Sequence, residues 1–369
     1  MSWSIPLVTI LGTEVRIHVT FLLLLAWIGI AAGASGGSGA AIDALVYVVA
    51  LFACVLAHEF GHVIAARRYG VRTPDITLLP IGGVANLERI PEKPSEELVV
   101  ALAGPAVNVA IAAVLYLLGA RFDMTGLNEV ATPAGDLGSR LMAVNLFLVV
   151  FNLIPAFPMD GGRVLRALLA TRMSHARATQ IAATIGQGVA FVLGFAGLFG
   201  NPLLIFIAIF VYLAASAEAG QAQLHDMARG VPASDAMITA FESLGPQATV
   251  DDAAEALIRT TQKEFPVVDG AGRLRGILTR DAMITAMRDT GPGTPVAGVM
   301  TAGIPTVGRR AALKDALKLM ETSRPPAIGV TDADGRLMGL ITSENLGEML
   351  MIRAVRPERP LVGPWERPG

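Results

Sequence analysis

Between Arg177 and Glu218 the chain carries no acidic or basic side chain, and between Val19 and Ala57 it carries only Asp43. Ionised groups are expensive in hydrocarbon, and a helix needs about 20 residues to cross its roughly 30 Å. Each of these charge deserts therefore reads as two membrane spans, turning at the Gly-rich stretch 34–40 and at Gly200-Asn201-Pro202. Apolar stretches at 98–120 and 141–153 complete a set of about six. With 53% hydrophobic and only 16% charged residues, the chain is not an ordinary cytosolic enzyme. Its net charge of −2 leaves no footprint for a polyanion, so nucleic acid is not expected as a partner. Cys54 is the single cysteine, which rules out an intrachain disulfide and a cysteine-built metal site.

The first apolar stretch lacks a basic start and a cleavage site and is followed closely by a second, so it reads as a retained span. With the amino terminus in the cytoplasm, Arg67, Arg68, Lys93, Arg163, Arg166, Arg172, Arg177 and the carboxy-terminal third share that side. The outer loops then keep only Arg121 and Arg140. That asymmetry is the positive-inside pattern of a multi-pass protein, here assigned to the cell membrane. Two stretches break the helical pattern: residues 4–18 alternate around Gly12-Thr13 like a β-hairpin, and 75–88 is β-rich around Gly82-Gly83. Strand edges beside a helical bundle must be covered by protein or lent to a partner.

Beyond residue 220 the composition becomes that of a soluble α/β domain. Residues 265–283 (FPVVDGAGRLRGILTRDAM) recur 63 positions later as 328–346 (IGVTDADGRLMGLITSENL). A helical segment with one apolar face precedes each copy, at 250–261 and 313–322. Such a period means two stacked copies of one small unit. The expected organisation is an α-helical polytopic membrane domain with a small β element at 1–220, then an α/β pair at 221–290 and 291–352. A tail follows from 353; its stretch 356–369 is rich in Pro, Arg and Glu and is expected to be disordered.

His58-Glu59-Phe60-Gly61-His62 falls toward the end of the second span. Positions i and i+4 share a helix face, so both imidazoles can bind one metal ion with Glu59 beside its open position. Three ionisable groups in or near a bilayer are functional by default. A third protein ligand is needed, and Asp160 is the candidate, at the end of Asn152-Leu153-Ile154-Pro155-Ala156-Phe157-Pro158-Met159-Asp160-Gly161-Gly162. The two prolines break the fourth span there and can turn Asp160 toward the bundle.

HEFGH, Gly104-Pro105-Ala106-Val107-Asn108 and NLIPAFPMDGG together resemble the site-2 protease family of intramembrane zinc metalloproteases. The repeat resembles a pair of cystathionine-β-synthase-type (CBS) domains. The first resemblance implies His58, His62 and Asp160 as ligands of one Zn2+ ion and Glu59 as the catalytic acid/base. It also places Asn152 at the active site, where its amide can bond a substrate carbonyl or the developing oxyanion. Gly104 and Asn108 read as close-packing residues of a membrane helix. The second resemblance implies an adenine nucleotide at the pair, with Thr279 and Asp281 on ribose and phosphate. Thr342 repeats Thr279, but Glu344 replaces Asp281, which puts a second site in question; a homodimer through the pair is also implied.

The expected substrate is a membrane-spanning protein, whose helix must unwind before hydrolysis. A strand over 76–87, with Gly82 and Gly83 allowing close backbone approach, would hold the unwound segment near the metal by adding it to a sheet edge. The rival expectations are a CBS-regulated transporter or channel and a zinc-binding scaffold without activity. Glu59 between two histidines favours catalysis, since conduction does not require it.

Overall fold

A computed structural model of the chain describes residues 3–80, 82–86, 93–121, 136–228 and 230–355, the side chains of 350 and 353–355 excepted. The chain divides into two compact units, Met1–Ala222 and Gln223–Gly369.

The first unit opens with β1 (Ser4–Ile10) and β2 (Thr13–His18), an antiparallel hairpin, and continues into α1 (Val19–Arg68). At 1.5 Å per residue a straight helix of this length would reach about 75 Å, far more than one bilayer. It is not straight: Gly37, at φ 75° and ψ −171°, breaks it into two arms that fold back on one another. The rings of Phe21 and Phe52, one on each arm, meet at 4.4 Å between centroids. Gly29 faces Leu45 and Gly33 faces Ala41, so small residues let the arms close toward the turn.

The folded-back α1 is the crossover between β2 and β3 (Asp75–Leu79), which lie parallel in one sheet. Parallel neighbours need such a long connection. Strand β4 (Gly82–Asn86) then pairs antiparallel with β3, giving the order β1-β2-β3-β4 and leaving β4 at an edge. The hairpin expected at 4–18 is present, whereas the stretch expected as a strand over 76–87 is two antiparallel strands, β3 and β4; Leu87 and Glu88 lie outside the described residues. Thr13 Oγ1 donates to the Thr73 carbonyl at 2.8 Å, and Arg67 donates to the Leu11 carbonyl, tying the sheet to the end of α1.

The remaining apolar stretches form α2 (Pro94–Leu117), α3 (Leu137–Asn152), α5 (His175–Phe199) and α6 (Leu203–Met227). Helices α1, α2, α5 and α6 are long and apolar enough to cross a membrane, and α3 is a shorter apolar helix. With the two arms of α1 this makes the six apolar segments of the sequence. Between α3 and α5 lies α4 (Asp160–Ala170), an amphipathic helix. Ala182, Ala183, Ala215 and Ala219 line the α5–α6 contact, whereas Phe191, Phe195 and Phe206 point outward, as suits a lipid-facing surface.

The second unit contains both repeats. The first comprises α7 (Val250–Thr260), β5 (Glu264–Val268), β6 (Leu274–Thr279) and α8 (Arg280–Asp289), followed by the short β7 (Thr301–Ala302). The second comprises β8 (Thr306–Gly308), α9 (Leu313–Ser323), β9 (Ile328–Thr331), β10 (Leu337–Ile341) and α10 (Ser343–Val355). The sheets run β5-β6-β7 and β10-β9-β8. The repeat extends to contacts: Met300 covers Gly276 of β6, and Met237, 63 positions earlier, covers Gly339 of β10. Each leading segment thus packs on the other copy. Helix α10 runs to Val355, so 353–355 belong to the domain and not to the tail; the expectation of disorder for 356–369 lies outside the described residues.

Candidate metal centre

His58 and His62 sit on the second arm of α1, one turn apart, and Asp160 opens α4. Helix α3 stops at Asn152 because Pro155 and Pro158 follow, and the chain turns before α4 begins. Gly161 and Gly162 permit this turn: a Cβ on Gly161 would stand 2.3 Å from the Ile154 carbonyl oxygen, and one on Gly162 2.7 Å from the Phe157 nitrogen. Asp160 is thereby brought to one point with histidines 98 and 102 positions earlier in sequence.

At that point His58 Nε2 and His62 Nε2 are 3.1 Å apart, and each lies 3.2 Å from Asp160 Oδ2. All three side chains are buried. Ligands at 2.0–2.2 Å on a tetrahedral ion are spaced about 3.4 Å from one another, so this spacing suits one zinc ion. Asp160 Oδ2 is buried without a hydrogen bond of acceptable geometry, so its lone pair is aimed at the shared point and not consumed by a donor. Two neutral imidazoles and a carboxylate are a donor set for zinc.

The surroundings orient the ligands. His62 Nδ1 faces the Val100 carbonyl at 2.7 Å, and His58 Nδ1 is hydrogen-bonded to Asn108 Oδ1. Both rings thus turn Nε2 inward. Gly104 makes room for them: a Cβ there would lie 2.3 Å from His62 Nε2 and 2.7 Å from His58 Cε1. Sequence reading assigned Gly104 and Asn108 to helix packing, and both touch the imidazoles instead. The available signal was their own i, i+4 spacing, which matches that of the two histidines on the neighbouring helix.

Arg166 carries a second surprise. Read from sequence as a cytoplasmic cation, it is the largest fully buried side chain among the described residues and ties three helices together. Its Nε donates to Glu97 Oε1 of α2 at 2.7 Å, and its Nη1 binds Glu218 of α6. The network holds α4, and so Asp160, against its neighbours.

Glu59 is half-buried and lies against β4, where a Cβ on Gly83 would be 2.7 Å from Glu59 Cγ. Gly82 has φ +136°, a conformation open essentially to glycine alone, and faces open space. Asn152 ends α3, half-buried, its amide without a hydrogen bond among the described residues. It is not among the three clustered ligands.

In the second unit a cleft of about 930 Å³ is lined by Phe241, Lys263, Glu264, Thr342 and Glu344, among others. Thr342 is buried at its wall and reciprocally caps α10 with Asn345. Thr279 caps α8 by accepting from the Ala282 N–H at 3.2 Å, and Asp281 is exposed beside Arg280; neither lines this cleft. The side bearing Glu344, where the repeat departs from Asp281, faces this cleft. Lys263 binds Glu344 at 2.8 Å across it. Burial and the nearby Glu344 push the Glu264 carboxyl above its ordinary range.

The model of peptidase family M50 matches residues 46–134 and 132–194, and the CBS domain model matches 233–289 and 296–350. The zinc metalloprotease MJ0392 of Methanocaldococcus jannaschii is 36% identical over 73% of this chain and 76% of its own length. The putative zinc metalloprotease Rip3 of Mycobacterium tuberculosis is 30% identical over 97% of this chain and 96% of its own. The site-2 protease structure from Methanocaldococcus jannaschii is 38% identical and superposes over 59% of this chain and 95% of its own with a TM-score of 0.44. The chain belongs to peptidase family M50. It is a membrane-embedded zinc metalloprotease followed by two CBS domains.

Proposed function

We propose that this enzyme hydrolyses peptide bonds in or near transmembrane segments of membrane proteins, at a zinc ion held by His58, His62 and Asp160. The observation that carries the reading is the convergence of three buried ligand atoms, none more than 3.2 Å from the next, beside a carboxylate on the adjacent residue. Bound zinc supplies Lewis acidity and makes water nucleophilic near neutral pH. Glu59 takes the proton of the attacking water and returns it to the leaving amine. Asn152, with its amide unengaged, binds the substrate carbonyl as charge develops on its oxygen. Changing Glu59→Gln should retain zinc and lower cleavage of a reconstituted membrane substrate by about 10²- to 10⁴-fold. Cleavage at the wild-type rate would reject Glu59 as the acid/base, whereas zinc bound by wild type without any cleavage would leave a scaffold.

The edge strand β4 receives the unwound substrate as a further strand, with Gly83 bringing its backbone beside Glu59 and Gly82 leaving open space next to it. Gly83→Val should therefore impair cleavage while zinc content stays at the wild-type level. Unimpaired cleavage would count against β4 as the docking edge.

The CBS pair regulates the enzyme through an adenine nucleotide in its cleft. The lining carries Glu242, Glu264, Glu344 and Glu348 against Lys263, so fewer phosphates suit it better and AMP should bind more tightly than ATP. Calorimetry with both nucleotides tests this; no heat with either removes the sensor. The positive-inside pattern supports a cell-membrane location with the CBS pair in the cytoplasm. A homodimer through the pair is tested by the mass of the detergent-solubilised protein.

A further inference from the structure

We propose that Asn145 is a positioning residue for His58: acting through Asn108, it fixes which ring nitrogen carries the proton and so leaves Nε2 bare for the metal. The inference rests on the zinc site described above, and its chain of reasoning starts at a group that has no choice. A backbone carbonyl only accepts hydrogen bonds. Asn145 Nδ2 donates to the Leu141 carbonyl at 2.8 Å, which orients the amide and turns Asn145 Oδ1 toward α2. That oxygen accepts from Asn108 Nδ2 at 2.7 Å. Asn108 is oriented in turn, so its Oδ1 faces His58 Nδ1. An amide oxygen cannot donate, so Nδ1 must carry the hydrogen.

Both asparagines are wholly buried, so water is not there to repair a reversed amide. Turning either one would set donor against donor and acceptor against acceptor, at the cost of an unsatisfied buried group. His62 reaches the same orientation without a relay, because its Nδ1 meets the Val100 carbonyl directly. Helix α3 ends before Asp160, yet through Asn145 it acts on the metal centre from two hydrogen bonds away.

The test reads the imidazoles, not the turnover. The protein has five histidines, so 15N-histidine labelling gives few signals, and variants of His18, His175 and His225 identify those of the site. Spectra are taken before and after adding zinc. Zinc-loaded wild type should show His58 protonated at Nδ1, with Nε2 shifted by the metal. In the zinc-loaded protein, an unprotonated Nδ1, or zinc on Nδ1, overturns the proposal whether or not any variant folds. Asn145→Leu keeps the shape and removes the relay; zinc should bind about 10- to 100-fold more weakly, and a second His58 tautomer should appear. Asn145→Asp keeps an acceptor for Asn108 and should bind zinc more tightly than the Leu variant. The reverse order, or unchanged affinity in the Leu variant, means that Asn145 only packs and overturns the proposal. None of these readings needs a substrate. Wild-type protein that shows the expected tautomer and binds zinc but cleaves nothing would retire the peptidase reading alone.

Discussion

The two units handle charge in opposite ways. In the first, Glu97, Asp160 and Arg166 are almost wholly removed from solvent, and each sits against a specific partner or converges on one point. In the second, Lys263 and Glu344 stand largely exposed on an open cleft, and Asp281 is exposed beside Arg280. A buried charge without its partner is costly, whereas an exposed pair is worth little in water. The first arrangement can therefore hold a fixed geometry for chemistry, and the second can exchange partners when a ligand arrives. The difference predicts that similar substitutions have very unequal consequences in the two units.

The largest effect should come from filling the imidazole cradle. Gly104→Ala puts a methyl group where His62 Nε2 now lies, and zinc affinity should fall by about 100-fold or more, measured by competition with a chelator. Retained affinity would mean that the rings have room the structure does not give them. Next is the buried network: Arg166→Met should destabilise the folded protein by about 3–5 kcal/mol in denaturant titration, because buried Glu97 then keeps only the more distant His175, 3.7 Å away. Adding Glu97→Gln should recover part of that loss, and a purely additive pair would contradict the network.

In the second unit, Gly276→Val and Gly339→Val should each cost about 1–3 kcal/mol by overpacking the methionine above. The repeat makes the two losses similar, and a large inequality would break the equivalence of the copies. The smallest effect concerns Glu264. A carboxyl whose folded pKa is raised contributes stability at low pH that is lost as pH rises through the folded value. Glu264→Gln should therefore raise the melting temperature slightly at neutral pH, and the gain should vanish as pH falls below the ordinary glutamate range. A gain that grows on acidification would have the wrong sign.

Much of this was legible in the sequence because membranes and repeats leave coarse marks. Charge deserts located the spans, alternation around Gly12-Thr13 located the first hairpin, and the 63-residue period located the two copies. His58, His62 and Asp160 were identifiable by type and spacing. What could not be read were contacts between helices distant in sequence. Nothing about Asn108 or Asn145 in isolation says that they face each other, since an asparagine on a membrane helix packs, caps or bonds according to its neighbour. Arg166 looked like one more basic residue of a cytoplasmic loop because its partners, Glu97 and Glu218, lie on two other helices. The cleft beside Glu344 was likewise hidden, being formed by segments from both copies.

Zinc content and zinc-edge X-ray absorption of the purified protein test the central claim most directly. Wild type and Glu59→Gln should each hold about one ion per chain, with two imidazole nitrogens and a carboxylate oxygen around it. Asp160→Ala should lose most of the metal. An Asp160→Ala protein with wild-type zinc content and an unchanged spectrum would contradict the site.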